Sequence, residues 1–244
     1  MSLTNFVKKS ALLHPLLVLR RRLKTKLNII KGLDFSIKKD IKIPSLCLGS
    51  GYGGWCIIPR EINKDSIIYS VGIGEDVSFD IALIEKFNVT LHAFDPTPKS
   101  IKWIEQLDLP QSFVMHPIGL SNYDGEASFC PPDNPEHVSH TMIKRSGSDT
   151  ITVKVVKLAT IMKDLNHDHI DLLKMDIEGA EFDVIEDMIK SNIRPKQLLI
   201  EFHHRFPEIE VETSRNAIES LRKIGYKVYS VSPTNEEICF YYDK

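Results

Sequence analysis

The stretch Tyr69-Ser70-Val71-Gly72-Ile73-Gly74-Glu75-Asp76-Val77-Ser78 limits what this chain can become, because an apolar run breaks into two glycines and restarts as an acidic segment. It reads as strand, tight turn and helix. Glycine in such a turn accepts positive φ and lets a ligand approach backbone atoms that a Cβ would shield. The spacing narrows the ligand. A dinucleotide fingerprint needs a third glycine three residues after the second, where Val77 stands, and a P-loop needs Gly-Lys-Ser/Thr, which is absent. Glu75 and Asp76 already occupy the positive end of the helix dipole, which disfavours an anion there. Taken alone the segment is equally an ordinary strand-to-helix turn. As a site, it suits a ligand that is not a polyphosphate.

Beyond the turn the pattern alternates. Apolar runs predict strands over 67–71, 90–94, 113–118, 170–175 and 197–203, and a terminal hairpin of 226–232 with 237–242 around Pro233-Thr234-Asn235. Between them, 3.6-residue periodicity predicts helices, as at Val77, Ile81, Ile84 and Phe87. Pro96 and Pro98 forbid the second strand to continue and open a short helix through Trp103. Residues 125–129 read as a strand returning on 113–118, and 150–156 as an edge strand. The alternation gives an α/β fold: a doubly wound, mostly parallel seven-stranded sheet of Rossmann-like type with a C-terminal antiparallel hairpin. At 244 residues and 42% hydrophobic content the chain can bury one sizeable core with a small appendage. The expected division is a helical extension over 1–45 and one domain over 46–244.

The net charge of −2 hides an asymmetry. Residues 1–39 hold seven Lys and three Arg against Asp34 alone, about +9, which leaves about −11 for the remainder. Arg20-Arg21-Arg22, Lys24 and Lys26 beside Leu12, Leu13, Leu16, Leu17 and Leu19 can form an amphipathic helix that rests on an anionic membrane surface, or equally a solvated cap or dimer-packing helix. Nucleic acid is not an expected partner, since the acidic body repels phosphate and no aromatic platform is visible. No apolar run approaches a membrane span, and 11–19 is short and followed by arginines, so the expected location is cytoplasmic, with peripheral membrane contact left open as one reading of the basic segment. Cys47, Cys56, Cys130 and Cys239 lie far apart with no C-x-x-C pair and are expected to be reduced thiols.

In an open α/β sheet, ligands gather beyond the carboxyl ends of the strands where strand order reverses. Those ends carry Gly72 and Gly74, Asp95, Gly119-Leu120, Asp176-Ile177-Glu178, and Glu201 with His203. Asp95 lies about twenty residues past the glycine turn, the separation at which an acid reaches ribose hydroxyls, although it can also cap the helix after Pro96. His203 shares a strand face with Glu201 by period-two spacing, so a carboxylate can orient it as a general base, with Asp176 close by. Asp176, Glu201 and His203 can alternatively collect a divalent cation that lowers the pKa of a substrate hydroxyl, the less favoured of the two readings. Glu178 and Glu181 suit a helix N-terminus as well as they suit chemistry. Residues 130–149 form a long loop on which His137 and His140, with Glu178, are candidate substrate contacts. Tyr52 and Trp55, in a glycine-dense segment, are candidates to close over a cofactor.

The glycine turn, Ala93-Phe94-Asp95-Pro96 and Asp176-Ile177-Glu178-Gly179-Ala180-Glu181 together resemble the FkbM-type S-adenosylmethionine-dependent methyltransferases, over about Gly51 to Tyr242. The resemblance implies a class I methyltransferase fold and methylation of a hydroxyl on a sugar, glycan or related metabolite. It further implies that Gly72 and Gly74 flank the methionine portion of the cofactor, Asp95 holds the ribose and Gly119-Leu120 lie near the adenine. Many such enzymes place Asp two residues before the first glycine; here Ser70 stands there, which passes the cofactor's amino group to Glu75 or Asp76. A sulfonium cofactor needs no phosphate ligand and tolerates an acidic turn, in agreement with the residues. Two rival readings are an NAD(P)-dependent oxidoreductase, opposed by Val77 and by the lack of a Tyr-x-x-x-Lys pair, and a non-catalytic nucleoside-binding module.

Overall fold

A computed structural model describes residues 18–51, 53–129 and 150–243. Its centre is a seven-stranded sheet of order β11-β12-β10-β9-β3-β4-β5. The parallel strands are β3 (Ile68–Val71), β4 (Leu91–Phe94), β5 (Phe113–His116), β9 (Leu172–Met175) and β10 (Gln197–Glu201), with β11 (Tyr226–Val231) and β12 (Glu237–Tyr242) closing one edge as an antiparallel hairpin. Every residue of β3 and of β9 is buried, as expected of strands covered on both faces.

Successive residues of these strands serve opposite faces, and two cores follow. Tyr69, Val71, Leu173 and Met175 pack against α4 (Leu158–Asp164), α5 (Glu181–Lys190) and α6 (Val211–Lys223). Ile68, Leu172 and Leu199 pack against α2 (Ser78–Phe87), through Phe79 and Leu83, and α3 (Pro98–Ile104), through Ile104. Strand order reverses between β3 and β9, so a cleft opens above their carboxyl ends.

Three local expectations are corrected. Strand β5 stops at His116 because Pro117 has no N–H to continue the ladder, and residues 125–129 do not return on it. Instead β7 (Gly125–Phe129) pairs antiparallel with β8 (Ile151–Val156), and β6 (Gly119–Leu120) joins them in a separate sheet. Strand β10 ends at Glu201, so Glu201 and His203 do not share a strand face. Residues 46–57 form a hairpin, β1 (Leu46–Leu48) and β2 (Trp55–Ile57), in which Cys47 and Cys56 are direct cross-strand partners joined by a disulfide. These two cysteines are therefore not free thiols; Cys239 is free and buried, and Cys130 lies outside the described residues. Disulfides persist in oxidising compartments, so the cysteines give no ground for a cytosolic location.

Helix α1 covers 18–30 and turns Thr25 inward, where its hydroxyl donates to Pro233 O at 3.0 Å. Leu19, Leu23, Leu27 and Ile30 face outward, between Arg20 and Lys24 on one flank and Arg22 and Lys26 on the other. Leu12, Leu13, Leu16 and Leu17 lie outside the described residues, and among those described no helix is long and apolar enough to cross a membrane. Past α1 the chain is tied to the sheet: Phe35 enters the larger core, Arg205 donates to Asp34 Oδ2 at 2.9 Å and to Glu236 Oε2 at 2.6 Å, and Asn235 donates to Phe35 O at 2.7 Å.

Two outcomes follow from these ties. Reduction of the Cys47–Cys56 bond, which closes a loop of sequence separation 9, is expected to lower unfolding free energy by about 2–3 kcal/mol. Denaturant unfolding with and without reductant measures it, and Cys47→Ser should match the reduced protein. Burial alone would raise the Asp34 pKa, but the His204 ring 3.4 Å away and the hydrogen bonds from Arg205 and the Phe35 N–H outweigh it and hold the carboxyl below its ordinary 3.8. A depressed carboxylate stabilises the fold above its unfolded pKa and loses that contribution as pH falls through the folded one. Asp34→Asn should lower the melting temperature at pH 7 and flatten its decline below about pH 4.

Candidate functional site

The cleft has a volume of about 740 Å³ and is walled by the ends of β3, β4, β9 and β10, with Arg21 from α1 and Thr234, Glu236 and Glu237 from the terminal hairpin. Its floor is the glycine turn. Gly72 sits at φ 75°, and a Cβ there would lie 1.6 Å from Asp176 O, so the two loops touch backbone to backbone. Gly72 N donates to Phe94 O at 2.9 Å, Asp176 N to Val71 O at 3.0 Å, and Lys174 Nζ to Gly72 O at 2.5 Å. Gly74, at φ 59°, has nothing within 4 Å of the place its Cβ would take. Glycine is thus required at 72 by contact and conformation, and at 74 by conformation alone, with open space left beside it.

Asp95 performs a structural task that the sequence reading offered only as an alternative. Its Oδ2 accepts from Ile73 N and Gly74 N at 3.0 Å each, and its Oδ1 accepts from Thr97 N at 2.9 Å and Thr97 Oγ1 at 2.6 Å. A carboxylate offers about four lone-pair sites, and here all four are used. Asp95 clasps the turn to the start of α3, and any ribose hydroxyl it accepted would displace one of these donors. Gly119 and Leu120 line the same cleft, as do Glu75, which lies 3.6 Å from Lys99 Nζ, and Asp76. Asp76 accepts from Ser78 N at 2.8 Å and from Ser50 Oγ at 2.7 Å. Burial opposes its charge, but those bonds outweigh it and hold the carboxyl below its ordinary range. The bond from Ser50 lays the glycine-dense hairpin loop over the first turn of α2, with Trp55 in the cleft wall; Tyr52 lies outside the described residues.

Asp176, Glu178, Glu201 and His203 meet at the other end of the cleft. The carboxylate that holds His203 is Glu181, not Glu201. Glu181, fully buried, accepts from His203 N at 2.8 Å and Gly179 N at 2.9 Å, and its oxygens lie 3.3 and 3.4 Å from His203 Nδ1. The imidazole Nε2 then points between Asp176 Oδ1 at 3.5 Å and Glu178 Oε2 at 3.4 Å. Glu178 is brought there by a left-handed φ of 51°, which costs a non-glycine residue about 1–2 kcal/mol. Burial disfavours an imidazolium, but Glu181, Asp176 and Glu178 outweigh it and push His203 up to about 10. Burial, then the charge of Asp176, pushes Glu201 up to about 9. Asp176 Oδ1 is buried without a hydrogen-bond partner among the described residues, while its side chain as a whole is 31% exposed toward the cleft.

Asp176, Glu178 and His203 offer three ligand atoms within 4.8 Å of one another. Glu178 thus takes the place that the sequence reading gave Glu201 in a metal set. His137 and His140 lie outside the described residues. Lys174 and Asp80 belong to none of the motifs that mark the site in the sequence. Both are buried in the cleft wall, and Asp80, raised by burial, feels the charge of Lys174 as the largest opposing influence. A lysine inside the apolar run Leu172-Leu173-Lys174-Met175 was the available signal, because such a charge stays buried only with partners.

A reversal between β3 and β9, a glycine turn at that point, an antiparallel edge hairpin and an acidic cleft define a class I methyltransferase fold. The sequence matches the family described as methyltransferase FkbM domain over residues 58–228, and the chain belongs to that family. Two curated relatives are both named probable methyltransferase-like protein 24. The one from Homo sapiens is 27% identical over 159 residues, 64% of this chain and 37% of the relative. The one from Rattus norvegicus is 25% identical over 177 residues, 71% of this chain and 42% of the relative. The chain thus spans less than half the length of these relatives. Among solved structures, a methyltransferase FkbM from Methylobacillus flagellatus KT is similar at a TM-score of 0.47 and 14% identity, over 74% of this chain and 44% of that one.

The two glycines should respond differently. Gly72→Ala should cost about 2–5 kcal/mol by overpacking and left-handed strain together and abolish ligand binding. Gly74→Ala should cost only about 1–2 kcal/mol yet weaken binding, because its methyl enters the open space. Thermal unfolding and ligand titration of both variants measure the contrast.

Proposed function

We propose that this chain is an S-adenosylmethionine-dependent O-methyltransferase whose acceptor is a hydroxyl of a sugar, glycan or related metabolite. The observation that carries it is the meeting, in one cleft, of a glycine turn with an open side and a cluster of carboxylates. The cofactor fits this lining: it is a sulfonium with an amino group and no phosphate, and Glu75, Asp76, Asp80 and Asp176 supply negative charge. The residues to hold it are Gly72 and Gly74 at the methionine portion, Asp76 or Asp80 toward the amino group in place of the missing acid at Ser70, and Gly119 with Leu120 at the adenine. When bound, it supplies a methyl group on a good leaving group.

The chain then has two tasks, alignment and proton removal. As the acceptor oxygen forms its bond to the methyl carbon, the carbon–sulfur bond breaks, the sulfur keeps the electron pair, and the hydroxyl proton must pass to a base. Asp176 is the carboxylate best placed for this, since it faces the cleft and its backbone is fixed against Gly72. Glu178 lies beside it at the acceptor end. Calorimetry should show saturable binding of S-adenosylmethionine and S-adenosylhomocysteine, and absence of both would sink the reading. Asp176→Asn should keep cofactor affinity within a few-fold and lower methyl transfer to a glycan acceptor panel by roughly 10²- to 10⁴-fold.

A further inference from the structure

We propose that Asp176, Glu178 and His203 form a site for a divalent cation of the Mn²⁺ type at the acceptor end of the cleft. The distances are the first ground. His203 Nε2 lies 3.5 Å from Asp176 Oδ1 and 3.4 Å from Glu178 Oε2, whereas a charge-assisted N–H···O bond is about 2.7–2.9 Å long. Donors bound at about 2.0–2.2 Å to one ion stand about 3.0–3.5 Å apart, and these separations fit the edges of such a polyhedron.

The second ground is how the donors are presented. His203 is only 7% exposed, and Glu181 engages both its backbone N–H and Nδ1, which fixes the ring and leaves Nε2 as the atom offered once an incoming cation displaces its proton. A carboxylate behind a ligating imidazole is the usual support of a metal-bound histidine. Asp176 Oδ1 is buried and takes no hydrogen bond among the described residues, so an acceptor is held ready without a donor. Lys174, the buried cation beside the glycine turn, is committed to Gly72 O and does not reach this cluster. Two carboxylate oxygens and one imidazole nitrogen suit a borderline divalent ion, and three protein ligands leave positions open toward the cleft.

Binding of the ion is independent of the methyltransferase reading; its catalytic use, lowering the pKa of an acceptor hydroxyl, rests on that reading. Full-length protein freed of metal with EDTA and titrated with MnCl₂ tests the site, because bound Mn²⁺ drops out of the six-line spectrum of the free ion. One equivalent should disappear, and His203→Ala and Asp176→Asn should each weaken binding 10- to 100-fold, whereas Glu85→Gln, exposed on α2, should not. Glu178→Gln, at a partly exposed position, serves as a third variant if either of the others loses its native circular dichroism. No signal loss at millimolar Mn²⁺, or a loss unchanged in the folded variants, overturns the site. Calorimetry on the same samples separates the two ideas: cofactor binding without Mn²⁺ binding removes only the site, and Mn²⁺ binding without cofactor binding leaves the site and removes the methyltransferase reading.

Discussion

The contact between the backbone of Gly72 and the carbonyl of Asp176 is the constraint on which the rest of the cleft depends. No side chain fits between them, since a Cβ would fall 1.6 Å from that oxygen. Two neighbouring parallel strands therefore end in loops pressed directly together, and the glycine turn and the acid that follows β9 become one rigid piece. The hydrogen bond from Lys174 to Gly72 O fastens the same junction from within the sheet. A shift in either loop must move the other.

Each end of the cleft is held by one buried carboxylate that spends itself on backbone donors. Asp95 fixes the glycine turn to α3, and Glu181 fixes the Glu178–Ala180 turn to the segment after β10. Both acids hold backbone segments in place at the rim of the cleft. The negative charge that remains open to the cleft belongs to Asp176 and its neighbours. That charge, around a buried imidazole, makes this end of the cleft a place that favours cations, unlike a phosphate site.

The sheet was legible because hydrophobic period and proline placement are local properties. Ile67 to Val71 followed by two glycines, or Phe94-Asp95-Pro96, can be read without knowing what lies beside them. The gathering of Asp176, Glu178, Glu201 and His203 was legible too, since strand ends in such a sheet converge. What escaped was set by tertiary contact. Cys47 and Cys56 become partners only through a hairpin whose loop is stabilised by Ser50 and Ser78, and no spacing rule announces it. The swap of Glu201 for Glu181 as the support of His203 depends on β10 ending at Glu201, two residues before the end of the expected strand 197–203. Lys174 and Asp80 come from different elements, and the influence of one on the other is visible only once β9 lies against β3 and α2.

The two ends of the described chain meet at the mouth of the cleft. Arg21 comes from the first helix, Thr234 and Glu236 come from the last hairpin, and Asp34, Arg205 and Asn235 lace the segments together. A fragment trimmed to begin at residue 46 would keep every strand of the sheet and still lose one wall of its binding site, along with the aromatic ring of Phe35 from the core. The extension is thus part of the cleft wall, and a complete wall takes more of the chain than the sheet alone does.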